Sequence, residues 1–119
     1  MIIDDDIDNL QLVKDILQFN GFETYDYNNP GLALEVFKED PDLYDLILMD
    51  IKMEEIDVRL LYKEIKNLRP NINVLIFTAL DLDVNEFKEI SPTFNEEYLI
   101  HKPVRMDSLL GKVRNTIAR

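Results

Sequence analysis

The sequence predicts an α/β fold: a doubly wound, five-stranded parallel sheet with helices on both faces, formed by one domain over residues 1–119. Three observations carry this prediction. The run Leu46-Ile47-Leu48-Met49 is apolar without alternation, as in a strand covered on both faces, and it stops abruptly at Asp50. Other strand-like runs stop in the same way: Met1-Ile2-Ile3 at Asp4-Asp5-Asp6, Val74-Leu75-Ile76-Phe77 at Thr78, and Tyr98-Leu99-Ile100-His101 at Lys102-Pro103. Between them lie stretches of helical periodicity, so strand and helix alternate along the chain without a repeat, a low-complexity tract or a linker.

Taken in order, the first helix is expected from Asp6 or Asp8 to Asn20, with Leu10, Val13 and Leu17 inward and Gly21 as its left-handed stop. Asp6 itself reads as a helix-start residue. Phe22 to Tyr27 is the most polar strand, and its Glu23, Thr24 and Asp26 suit an edge. Asn29-Pro30 opens a second helix with proline in its first position, and Ala33, Val36 and Phe37 face inward before Pro41. After Asp50, Asp57 caps a strongly amphipathic helix whose Val58, Leu61, Ile65 and Leu68 recur at helical spacing until Arg69-Pro70. A shorter helix spans about Asp83 to Ile90, with Asp83 and Glu86 spaced as a capping box, and Ser91-Pro92 ends it. The last helix, from about Met106, turns Leu110, Val113 and Ile117 inward and leaves Arg105, Lys112, Arg114 and Arg119 as a locally basic outer face.

With 46% hydrophobic residues the chain can bury a core without staples, and the absence of cysteine removes disulfides, thiol catalysis and Cys-ligated zinc. No apolar stretch approaches the about 18 residues that span a bilayer, and the N-terminus has no basic signal region, so a cytoplasmic location without membrane contact is expected. The net charge of −11 argues against this domain gripping nucleic acid, whose phosphates attract Lys and Arg.

If the strands are parallel, their carboxyl ends share one edge of the sheet, where ligands bind in open α/β folds. That edge would gather three or more carboxylates, from Asp4-Asp5-Asp6 and Asp50, with the hydroxyl of Thr78 and the ammonium of Lys102. Clustered carboxylates repel unless a hard cation joins them. An oxygen set of this kind suits Mg2+, which takes few protein ligands and keeps waters for a phosphate. With the acidic pair Asp4-Asp5, Asp50, Thr78 followed by small Ala79, and Lys102-Pro103 in this order and spacing, the chain resembles the response-regulator receiver domain of two-component signalling from Met1 to Arg119.

The resemblance implies the flavodoxin-like strand order 2-1-3-4-5 and a role for each of these residues. Asp50 would be the phosphoacceptor, taking its phosphoryl group from a sensor histidine kinase or a histidine phosphotransfer protein. Asp4, Asp5, Asp50 and the Lys52 backbone carbonyl would surround Mg2+. The Thr78 hydroxyl and Lys102 would contact phosphoryl oxygens, joined by backbone N–H groups at Lys52 and Ala79. Thr78 with Tyr98 or Leu99 would form the switch, and Lys52 and Leu80 would flank the path of the hydrolytic water and tune dephosphorylation. A cis Lys102-Pro103 bond belongs to the same pattern, and residues 83–119 would present the surface for a homodimer or an output partner.

The chain departs from the family pattern after Asp50, where the usual Met-Pro-Gly turn followed by Asp-Gly reads Met53-Glu54-Glu55-Ile56-Asp57-Val58. Both glycines and the proline are absent. A phosphohydrolase with an Asp nucleophile would want a second Asp where Lys52 stands, and a dinucleotide binder would want a glycine-rich first turn in place of Asp4-Asp5-Asp6. The remaining rival is an interaction module of the same fold that switches without phosphate. His101, the only histidine, reads as a packed or half-exposed strand residue and not as a phosphodonor.

Overall fold

Short apolar runs that are buried on both faces pair best as parallel strands, and parallel strands need helical crossovers between them. The computed structural model, which describes residues 1–54, 56–79 and 84–118, has this arrangement. Strands β1 (Ile2–Ile3), β2 (Asp26–Tyr27), β3 (Leu46–Asp50), β4 (Asn73–Thr78) and β5 (Leu99–His101) form one sheet in the order β2-β1-β3-β4-β5, with every neighbouring pair parallel. The crossovers carry helices α1 (Ile7–Phe19), α2 (Pro30–Glu39), α3 (Val58–Leu68) and α4 (Val84–Lys88), and α5 (Met106–Ile117) follows β5.

The two faces of β3 feed two cores. Leu46 and Leu48 pack with Ile2, Leu75 and Phe77 against Leu10, Val13 and Leu17 of α1 and Leu109, Leu110 and Val113 of α5. Ile47 and Met49 point the other way, with Ile3 and Ile76, onto Ala33 and Phe37 of α2 and Leu61, Tyr62 and Ile65 of α3. Burial of each such side chain is worth about 1.5–3 kcal/mol, which makes β3 the axis of the molecule.

Helix starts are set by local polar chemistry. Asp6 Oδ1 accepts from the N–H groups of Asp8 and Asn9 at 3.0 and 3.2 Å, Asn29 Oδ1 from Leu32 at 3.0 Å, and Asp57 Oδ1 from Arg59 at 2.9 Å. Gly21, at φ 87°, closes α1 in the left-handed region that favours glycine.

Several expectations are corrected. The second strand is Asp26–Tyr27 and not Phe22–Tyr27, because β1 offers only two residues for pairing; Phe22 packs instead on the α1/α5 core. Leu68 and Ile117, expected inward, are each 42% exposed. Both are the last residues of their helices, past the layer that the sheet covers, and the buried places are taken by Tyr62 in α3 and Thr116 in α5. Tyr98 belongs to a 3-10 turn (Glu96–Tyr98) that Asn95 caps, and not to β5. Lys112 does not join a solvated basic face: its Nζ donates to the carbonyls of Leu99 at 2.5 Å and Glu97 at 3.3 Å, beside the edge strand. His101 is exposed. The capping role expected of Asp83 and the roles of Leu80 and Arg119 fall outside the described residues. Among the described residues, no helix is long and apolar enough to cross a membrane.

Candidate functional site

Strand register brings the polar strand ends to one edge. Ile3 pairs with Met49, Asp50 with Phe77, and Thr78 with His101, so Asp4, Asp50, Thr78 and Lys102 follow one another across the carboxyl ends of β1, β3, β4 and β5. Asp50 is 3% exposed, because it ends a strand whose other residues are all buried. Its Oδ1 accepts from the Lys52 N–H at 3.0 Å, and its Oδ2 accepts from Lys102 Nζ. The Lys102 N–H donates to the Thr78 carbonyl at 2.8 Å, which fixes the start of the Lys102 side chain beside β4. The Lys102-Pro103 bond is cis.

The electrostatics follow from burial. Desolvation alone would lower the pKa of Lys102, but its hydrogen bond to Asp50 and the charges of Asp50, Asp4 and Asp6 outweigh it, so the pKa is raised and the ammonium is secured. Asp4 is 1% exposed. Burial, and to a lesser degree the charge of Asp50, raises its pKa, against hydrogen bonds from Asn9 and Asp6 and the charge of Lys102. Those hydrogen bonds run from Asn9 Nδ2 to Oδ2 at 2.5 Å and from the Asp6 N–H to Oδ1 at 3.0 Å. Asp5 is exposed, and its Oδ2 accepts from the Glu54 N–H at 3.0 Å.

Asp4, Asp50, Lys102 and the Lys52 main chain are therefore brought together, with Thr78, 2% exposed, at the end of the adjoining strand and exposed Ala79 just beyond it. Asp5 is drawn to the loop after β3 instead. Among the described residues, no three acidic or histidine side chains converge as a set that could hold a metal. Of the two switch candidates, Leu99 is 3% exposed and pairs with Ile76, whereas half-buried Tyr98 stacks on Phe94 at 5.8 Å between ring centroids.

Two contributors escaped the sequence reading. Asn9 holds Asp4 from the first turn of α1, five residues on, a spacing that could have been noticed. Glu54 acts through its main chain, and nothing in a side-chain pattern reports that.

The family model for the response regulator receiver domain matches residues 1–114. The transcriptional regulatory protein ZraR of Escherichia coli (strain K12) is 35% identical over 118 residues, which cover 99% of this chain and 26% of ZraR. The chain thus spans about a quarter of the length of that relative. The chemotaxis protein CheY of Bacillus subtilis (strain 168) is 30% identical over 118 residues, covering 98% of this chain and 95% of CheY. A crystal structure of a response regulator receiver domain protein from Clostridium thermocellum superposes with a TM-score of 0.85 at 29% identity, over 99% of this chain and 92% of the other.

Proposed function

The chain belongs to the response-regulator receiver domain family of two-component systems, a family of signalling domains, and from that premise we propose that residues 1–119 form one receiver domain with Asp50 as its phosphoacceptor. The observation that carries this reading is the buried Asp50 carboxylate at the end of β3, contacted by Lys102 Nζ and the Lys52 N–H. An Asp50 oxygen bonds to phosphorus as the P–N bond of a phosphohistidine breaks. The electron pair stays with the imidazole nitrogen of the partner, which takes up a proton, and an acyl phosphate remains on Asp50. Lys102 then exchanges Asp50 Oδ2 for a phosphoryl oxygen, the Thr78 hydroxyl and the N–H groups of Lys52 and Ala79 receive the others, and the phosphoryl group stays in line by positioning and charge neutralisation.

Asp4, Asp5, Asp50 and the Lys52 carbonyl would hold Mg2+. Their donor chemistry fits, since all are hard oxygens and the repulsion that Asp50 imposes on buried Asp4 is what a cation relieves. Closing the set requires Asp5 to turn from the Glu54 N–H toward Asp4 and Asp50. Bound there, the ion supplies positive charge to the phosphoryl oxygens as the bond to Asp50 forms. Tyr98 suits the switch better than Leu99, since a half-buried ring on a stack can move without opening the core. The phosphodonor is a sensor histidine kinase or histidine phosphotransfer protein on the cytoplasmic side, and output passes through residues 83–119 to a partner or a second copy.

The test is intact-mass spectrometry with acetyl phosphate and Mg2+. One phosphoryl adduct is expected on the parent and none on Asp50→Asn. An equal adduct on the variant would place the acceptor elsewhere.

A further inference from the structure

Asp5 and the loop after β3 are joined by a hydrogen bond across 49 positions of sequence, from the Glu54 backbone N–H to Asp5 Oδ2 at 3.0 Å. Both residues are exposed, so core packing does not impose the contact. With Asn28, Asn29 and Pro30 they line an open pocket of about 340 Å3. Asp4 and Asp50 have donors of their own in Asn9, Asp6, Lys52 and Lys102.

A carboxylate oxygen that accepts a charge-assisted hydrogen bond is held toward its donor and has less electron density to offer a cation. We propose that the Glu54 N–H is a positioning group that keeps Asp5 on the β3–α3 loop, so that this contact and cation binding through Asp5 Oδ2 exclude one another. The inference rests on the Mg2+ reading above and deepens it. Where the family pattern places proline there is no N–H to donate, so Glu54, which stands at that position, adds a contact. That contact works through the main chain and not through the Glu54 carboxylate. Coupling is reciprocal: a cation at Asp5 frees the loop by as much as the loop withholds Asp5. Cation binding at Asp5 and β3–α3 loop release become one equilibrium.

Mg2+ titrations followed by the amide shifts of Asp4, Asp5 and Asp50 test this on the parent chain, Glu54→Ala and Glu54→Pro. Glu54→Ala keeps the N–H and should bind as the parent does. Glu54→Pro loses it and should bind about fivefold more tightly, the scale of one hydrogen bond to an exposed charged group. In the parent, saturating Mg2+ should speed hydrogen exchange at the Glu54 amide. Equal or weaker binding by Glu54→Pro relative to Glu54→Ala overturns the proposal, and so does greater protection of the Glu54 amide in Mg2+. The exchange measurement decides the matter even if the proline variant does not fold. If no chain shows a Mg2+-dependent shift at these residues, the cation reading itself fails, and the proposed exclusion fails with it.

Discussion

Asp4 carries an electrostatic cost that its neighbours offset only in part. Burial and the charge of Asp50 disfavour its carboxylate, while Asn9, the Asp6 N–H and Lys102 favour it, and the balance leaves its pKa raised. The folded chain therefore keeps this proton to higher pH than the unfolded chain does. Between the unfolded value, about 3.9, and the raised folded value, the folded state binds more protons, so stability falls as pH rises through that window. At neutral pH the whole cost is present. Asp4→Asn sheds the buried charge but keeps one accepting oxygen, for Asn9 or for the Asp6 N–H and not for both, and on balance it should raise Tm near neutral pH in Mg2+-free buffer. That gain should shrink as the pH falls through the raised folded value and be gone below about 3, where Asp4 is protonated in both states. A variant that melts lower than the parent at neutral pH would show that the hydrogen bonds outweigh the buried charge. Stability sacrificed at Asp4 suits the role of cation ligand proposed for it.

Elements whose cause is local were the legible ones. The apolar run of β3 and the caps Asp6, Asn29 and Asp57 depend on neighbours in sequence, and each stands where the pattern put it. Elements that depend on a partner across space were not. The length of β2 is set by β1, and the exposure of Leu68 and Ile117 by where the sheet stops covering α3 and α5. Tyr98 leaves β5 because Asn95 caps a turn there. The candidate site divides in the same way: Asp4, Asp50, Thr78 and Lys102 each end a strand and could be read, whereas Asn9 and the Glu54 N–H act by fold-dependent contacts. The Tyr98-Leu99 pair makes the division testable. Leu99 is core, so Leu99→Ala should lower Tm by about 10 °C, a large-to-small loss of about 2–5 kcal/mol. Tyr98→Ala loses a stack on Phe94 and should cost less than half as much, yet it should erase the amide shift changes that a phosphate mimic induces across residues 84–118. If those changes survive in Tyr98→Ala, Tyr98 is not the switch.

For the whole molecule, a net charge of −11 on 119 residues means that any cation relieves some self-repulsion, and a specific ion must be told apart from a screening one. The carboxyl edge of the sheet makes the distinction measurable. Asp4 and Asp50 are buried at neighbouring strand ends, and both are far more exposed to water, and so to competing protons and ions, once the chain unfolds. An ion held by this set binds the folded state alone and stabilises it by mass action. At about 100 times its dissociation constant that is about 2.7 kcal/mol, or about 10 °C in Tm for a domain of this length. Sodium chloride at matched ionic strength screens surface charges without occupying the site and should move Tm much less. Asp5→Ala removes one proposed ligand while leaving the rest of the acidic surface, so its response to Mg2+ should fall toward the response to sodium. Equal Mg2+ shifts in the parent and Asp5→Ala would place the ion elsewhere on the acidic surface. A parent that responds equally to Mg2+ and sodium would mean that repulsion is relieved by screening alone, leaving Lys102 as the cation available to Asp50.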